Sequence, residues 1–293
     1  MSARCARIGG AALIAFVLGF PTISVAAAVI ISGSGDITGA VNQCRSALGN
    51  ANNGATPGEQ ASGRREINWD GVPDGFSAPN NLPADFFNVN SPRGVVFSGS
   101  GAGFQVSANA GVAPVRFDNI NPTYSGQFSI FSPQRLFTPL GTNIYDVNFF
   151  VAGSATPATV SGFGAVFSDV DLPNTASIQF FVNATSLGTF FAPVRTDSVG
   201  LSFLCVVLNA GERASRVRVI SGQGGLGAGV NDISDGGTLD LVVFDDFLYG
   251  EPKNLPPFIP AIPTLSSWAM ILLSVLLAGG LAAASRRRGC LVS

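Results

Sequence analysis

With no histidine among its 293 residues, this chain has to build any chemistry from carboxylates, amides, hydroxyls and aromatic rings. A Ser-His-Asp triad, a His-paired cysteine nucleophile and the usual His-containing zinc sites are excluded. Two glycine-rich runs, Gly99-Ser-Gly-Ala-Gly103 and Gly222-Gln-Gly-Gly-Leu-Gly227, lack the Lys-Ser/Thr of a phosphate loop and read as turns. A carboxylate pair is the one catalytic option left, because a glycosidase needs only two acids at the right separation. Most of the 18 acidic residues fall in turn contexts such as Val72-Pro-Asp-Gly75 and Ser234-Asp-Gly-Gly237, where Asp caps its own turn. No residue is therefore assigned as catalytic, and the expectation is a protein that is not an enzyme.

Hard oxygen ligands are abundant, and calcium takes about six to eight of them. Glu66, Asn68 and Asp70 would meet Asp245 and Asp246 if the first and last strands of the body pair. Glu66, Asp70, Asp245 and Asp246 are thus the candidate ligands of a structural calcium, and no other cofactor is called for. Asp169-x-Asp171-x-x-Asn174 is a second oxygen-rich turn, without the glycine and terminal Glu of an EF-hand loop. For both clusters the plain alternative is solvated carboxylates at strand ends. Trp69, Tyr124, Tyr145 and Tyr249 are candidates for stacking on sugar rings, with core packing as the alternative. The adjacent pairs Phe86-Phe87, Phe149-Phe150, Phe180-Phe181 and Phe190-Phe191 would each turn one ring away from its partner in a strand.

The elements that position these groups read as strands. Short apolar or alternating runs recur between Gly, Pro, Asn and Asp clusters: Gly94–Phe97, Gly103–Ser107, Val115–Phe117, Asp146–Val151 and Val160–Phe167, then Ser177–Val182, Leu187–Phe191, Val199–Leu208, Arg216–Ile220 and Leu239–Tyr249. None sustains a helical period, and Arg216-Val-Arg-Val219 alternates as a strand with one wet face should. About ten short strands at this spacing predict an all-β, antiparallel sandwich, jelly-roll-like. Residues 29–62 are small and polar and read as an ordered loop or spacer, with a short helical turn over Val41–Leu48.

Composition fits an exported sheet protein. Charged residues make up 12%, about half the usual share. Five of the 16 basic residues lie in the terminal segments, which leaves 11 against 18 acidic ones and a net charge of −7 in the body. Such a body is a poor partner for nucleic acid or an anionic membrane. Cys44 and Cys205 are the two cysteines of the body. They either pair, closing a loop of about 160 residues, or stay free, with Cys205 a small buried hydrophobe in its apolar run.

Both ends read as membrane-directed. Arg4 and Arg7, the apolar stretch Ala11–Phe20, Pro21 and the small residues Ala26-Ala27-Ala28 form a secretory signal peptide cleaved after Ala28, or alternatively after Ala26, by signal peptidase. At the other end, Ile262-Pro-Thr-Leu-Ser-Ser-Trp268 leads into an uncharged run to Ala284 and then Arg286-Arg287-Arg288. Counted from Ile262, that run is long enough to cross a hydrocarbon core of about 30 Å as a helix. The arginines should stop transfer and stay cytoplasmic, which puts the body outside.

Ile262, Pro263, Thr264, Leu265 and Trp268, followed by an apolar helix and an arginine cluster, resemble the IPTL-CTERM sorting signal, a relative of the PEP-CTERM signals of exported proteins in Gram-negative bacteria. Ser267 and Ala269 stand where the usual pattern has Glu and Gly. The resemblance implies recognition by an exosortase-type membrane peptidase, removal of the tail and transfer to a surface acceptor. Gly162–Asp171 and Val242–Tyr249 are in addition similar to core and final strands of secreted bacterial sandwich domains related to carbohydrate-binding modules, which often hold a structural calcium where first and last strands meet.

The expected organisation is a signal peptide over 1–28, a polar segment over 29–64, a β-sandwich over 65–251, a proline-rich spacer over 252–261 and a sorting signal over 262–288. The expected role is a non-catalytic, structural or adhesive protein of the cell surface or extracellular matrix, associated with exopolysaccharide. A carbohydrate-binding module is the alternative, and a carbohydrate-active enzyme with paired carboxylates comes third.

Overall fold

Strand β11 (Arg216–Ile220) shows how sequence becomes sheet here. Val217 and Val219 are fully buried, while Arg216 and Arg218 lie on the outer, partly exposed face. The computed structural model describes residues 28–196, 200–209 and 211–254, together with Leu276. The expected span apart from Leu276, the arginines, and the leader up to Ala27 lie outside the described residues. Among the described residues no helix is long and apolar enough to cross a membrane.

The other strands are β1 (Val29–Ser34), β2 (Arg64–Ile67), β3 (Val95–Gly99), β4 (Gly103–Val106), β5 (Phe137–Leu140), β6 (Ile144–Phe149), β7 (Gly162–Ser168), β8 (Ser177–Val182), β9 (Thr185–Phe191), β10 (Leu201–Val207) and β12 (Val243–Gly250). They form two antiparallel sheets. One is seven-stranded, in the order β1-β10-β7-β12-β5-β4 with β2 also on β12; the other is five-stranded, in the order β3-β6-β11-β8-β9. From β5 onward the chain changes sheet at each step except the β8–β9 hairpin.

The two sheets face each other across one aromatic-rich core. Phe97, Tyr145, Val147, Phe149, Val217 and Val219 of the smaller sheet meet Phe137, Phe163, Phe167, Phe244, Phe247 and Tyr249 of the larger. Ring pairs bridge the layers, as in Tyr145–Phe244 at 5.7 Å and Phe149–Phe163 at 6.4 Å between centroids. Strands β7 and β12 are buried along their whole length. Their outer face is covered too, which is why both read as unbroken apolar runs where an alternating pattern marks a half-wet strand.

Part of that cover comes from residues 29–62, read in sequence as a loop or spacer. Instead, Val29–Ser34 pairs with β10 along its whole length, Val29 opposite Val207, and makes the sheet's edge. Thr38–Leu48 is a full helix, α1, of 11 residues. Its Val41, Cys44 and Leu48 fall on one side and pack on Val166, Phe203, Cys205 and Leu248. Three apolar side chains among polar ones suffice because the sheet beneath supplies the rest of the apolar surface. Cys44 and Cys205 are joined in a disulfide, with Cα atoms 6.2 Å apart. Gly164 stands opposite Cys205, and a Cβ there would come within 2.8 Å of the Cys205 Cβ. Glycine therefore makes the room into which the cross-link fits.

The phenylalanine pairs divide by local structure. Phe180 is buried and Phe181 partly exposed, as strand alternation requires. Phe86 and Phe87 are both buried, because they lie in a short helical turn, α2 (Phe86–Val89), where the period-two rule does not hold.

Candidate functional site

Strand β7 ends at Ser168, and the next residue, Asp169, takes a left-handed backbone (φ 75°) that turns the chain toward Asp171. Asp232 arrives from a distant segment. Its carboxylate caps the short turn Ile233–Asp235 by accepting from Ser234 N at 2.6 Å, and it also accepts from Leu241 N at 2.7 Å. These contacts fix the Asp232 carboxylate between its own turn and the segment that leads into β12. Oxygens of Asp169, Asp171 and Asp232 then lie within 4.8 Å of one another. Asp240 backs the group, accepting from the backbone of Asp171 and Leu172 at 3.2 and 3.0 Å and from Thr175 Oγ1 at 2.5 Å.

Neutralisation of this cluster is incomplete. Arg195 Nε lies 2.9 Å from Asp169 Oδ1 and also contacts Asp171 Oδ1. Gln127 donates to Asp169 Oδ2 and approaches Ser234 Oγ at 2.6 Å. Asp169 Oδ1 and Asp171 Oδ2 are buried and accept no hydrogen bond, the Arg195 approach to Asp169 being off the hydrogen-bond direction. Burial pushes Asp169 up to about 7, against the pull of Gln127 and Arg195. Burial also raises Asp171, reinforced by neighbouring Asp232 and opposed by Arg195, and burial raises Asp240. Gln127, Arg195 and Ser234 lead outward into an open cavity of about 390 Å³.

The acids singled out from sequence also come together, in a different balance. Strand β2 pairs with β12, with Glu66 opposite Leu248, so the opening and closing acids share a surface. Ser132 Oγ lies 2.8 Å from a carboxylate oxygen of Asp245 and of Asp246. Asp245 further accepts from Phe131 N at 2.6 Å, and Asp70 from Arg135 N at 3.2 Å. Burial, and then the neighbouring Asp246, holds Asp245 well above the usual carboxylate range, and burial raises Asp246 and brings Asp70 to about 6. Arginines pair with two of these acids, Glu66 and Asp246. Arg45 of α1 reaches Glu66 at 2.9 Å and Asp246 at 3.7 Å, and Arg64 reaches Glu66 at 2.6 Å. Glu66, Asp70, Asp245 and Asp246 are thus neighbours, but among the described residues the carboxylates gathered tightly enough for one ion are Asp169, Asp171 and Asp232.

Sequence reasoning reached Asp169 and Asp171 through their spacing and coupled them to Asn174, which is exposed in the turn. Asp232, Arg195, Gln127 and Asp240 carry no local signal that would join them to that turn. The sugar-stacking candidates are all interior: Trp69, Tyr124, Tyr145 and Tyr249 are at most 1% exposed. Trp69 stacks on Phe137 at 4.2 Å and donates its indole N–H to Asp245 O, so that ring is a core element. Ala28 is partly buried against the core, whereas Ala26 lies outside the described residues. Ile262, Pro263, Thr264, Leu265, Trp268, Arg286, Arg287 and Arg288 lie outside them too.

No curated protein and no solved structure is significantly similar to this chain. Residues 260–288, however, match the family model described as the IPTL-CTERM motif, and this is therefore a protein with a C-terminal sorting signal of the IPTL-CTERM kind.

Proposed function

We propose that this is an exported protein whose tail holds it at the inner membrane until an exosortase-type peptidase removes it, and whose jelly-roll-like sandwich then serves at the cell surface or in the extracellular matrix. Its role there is non-catalytic, structural or adhesive, in association with exopolysaccharide. The observation that carries the reading is the sorting signal over residues 260–288. The Cys44–Cys205 disulfide supports it, since such cross-links persist outside the cytoplasm. Burial of Trp69 and all three tyrosines supports a structural role over one built on an aromatic sugar platform.

Mass spectrometry of the mature surface protein from a host with an exosortase is the test. A C-terminus lacking Arg286–Arg288 is expected, and an intact arginine cluster would overturn the sorting step. A second reading, a carbohydrate-binding module, is favoured by the outer face of the five-stranded sheet. There Arg216 lies 3.9 Å over the Phe181 ring, and Asp146 pairs with Arg216 and Arg218 at 2.9 Å each. Beside them Ser98, Thr142, Asp146 and Arg218 line a cavity of about 490 Å³. Saturable binding of one glycan on an array, lost in Arg218→Ala, would replace the structural role by this one.

A further inference from the structure

The Asp169 cluster holds more negative charge than its surroundings neutralise. Three carboxylates converge on Arg195, which supplies a single positive charge, and Asp240 stands directly behind. Asp169 is fully buried, and its Oδ1 faces Arg195 at 2.9 Å without accepting a hydrogen bond, while the buried Asp171 Oδ2 accepts none either. A buried carboxylate oxygen without a donor is unfavourable by several kcal/mol unless a cation answers it. Two oxygens bound to one calcium at about 2.4 Å can lie no more than about 4.8 Å apart. The three carboxylates satisfy that limit with one oxygen each.

We propose that Asp169, Asp171 and Asp232, together with the Ser234 hydroxyl, form a calcium site that joins the end of β7 to the 232–235 turn. The donor set is all oxygen, as calcium requires, and offers no thiolate or imidazole for zinc. Magnesium would need near-octahedral oxygens at about 2.1 Å, which carboxylates brought together from two separate segments do not supply. The adjoining cavity, which Ser234 lines, has room for waters that complete the calcium shell. Arg195 stays paired to Asp169 and Asp171 and reduces the charge, which suits the weak affinity, about 0.1–1 mM, of calcium sites in extracellular modules. The site rests on the body's geometry and not on the structural or adhesive reading above.

The experiment uses the full chain, exported with its leader from a Gram-negative host, purified in detergent and stripped with EGTA. Thermal unfolding and isothermal titration are followed with calcium chloride and with magnesium chloride. At calcium about a hundredfold above Kd, Tm should rise by about 5–10 °C, with magnesium giving a clearly smaller shift. Asp169→Asn should abolish the calcium shift and raise the Tm of the calcium-free protein, because it removes a buried charge. Asp171→Asn provides a second readout should that variant not fold, and Asp246→Asn, at the arginine-compensated cluster, should keep the full response. A stripped, folded wild type with no calcium response would overturn the proposal. So would a response that survives Asp169→Asn or Asp171→Asn, or one that disappears only in Asp246→Asn.

Discussion

Replacing both Cys44 and Cys205 by alanine should destabilise the sandwich by roughly 5 kcal/mol, and the reason lies mostly in the unfolded chain. The bridge spans 161 residues. In the chain-entropy model a closed loop of that length removes about 17 cal/mol/K from the unfolded ensemble, or about 5 kcal/mol at 25 °C. Both sulfurs are fully buried beneath α1, so their loss also leaves a small void on the outer face of β7 and β10, worth about 1 kcal/mol more. Against a total stability of about 5–15 kcal/mol this is a large fraction. The assay is urea unfolding of the oxidised protein and the double variant, read by tryptophan fluorescence from the core residue Trp69. With a slope of about 2–3 kcal/mol/M, the midpoint should fall by about 2 M. The slope itself should rise, because an unfolded chain without the tie exposes more surface. A midpoint shift below about 0.5 M in one cooperative transition would refute the argument. Loss confined to an early phase, with α1 released and the remaining sheets intact, would show that the tie secures only an edge.

Two further perturbations follow from buried charges. Arg65 is fully buried and directs its donors at Glu251, at 2.7 and 2.8 Å, and at the carbonyls of Gly54, Thr56, Gly58 and Pro92. Arg65→Met leaves the buried Glu251 without its counter-charge and should cost about 3–5 kcal/mol in urea unfolding, while Arg65→Met with Glu251→Met recovers much of it; a double variant no better than the single would contradict this. Burial raises Asp70 from 3.8 to about 6, so between those values the folded state keeps a proton that the unfolded chain has released. Its contribution to stability is full at low pH and is lost as pH rises through that window. Asp70→Asn should therefore flatten the dependence of urea midpoints on pH between about 4 and 6, and an unchanged slope would show that Asp70 does not titrate there.

What the sequence showed and what it hid differ by the range of the interactions involved. Alternation in Arg216–Ile220 is a property of neighbouring residues, so the wet face of β11 was legible before any partner was known. The meeting of Glu66 with Asp245 and Asp246 was also within reach, because first and last strands of a sandwich are natural partners and β2 does pair with β12. Of α1 only the helical turn over Val41–Leu48 was legible; its full length and its docking were not, since only three of its side chains are buried and the apolar surface that holds it belongs to β7, β10 and β12. Asp232 follows Asp169 by more than sixty residues and sits among turn-forming neighbours, where local capping is the natural explanation for an aspartate.

The docking of α1 on the sheet has a consequence for the chemistry. Glu66, Asp70, Asp245 and Asp246 are calcium candidates in the sequence because pairing of the first and last strands would gather their oxygens. Placing α1 on the sheet brings Arg45 over them, 2.9 Å from Glu66 and 3.7 Å from Asp246, and Arg64 closes from the other side. Two guanidiniums then do much of what an ion would have done, and Ser132 bridges the buried pair. At the end of β7 the comparison runs the other way. Three carboxylates and a fourth behind them share Arg195, and two buried oxygens are left without donors. The demand for an added cation therefore follows the balance of fixed charge, not the number of acids. That balance depends on which distant segment the fold lays against each turn, so it separates the two clusters where sequence spacing could not.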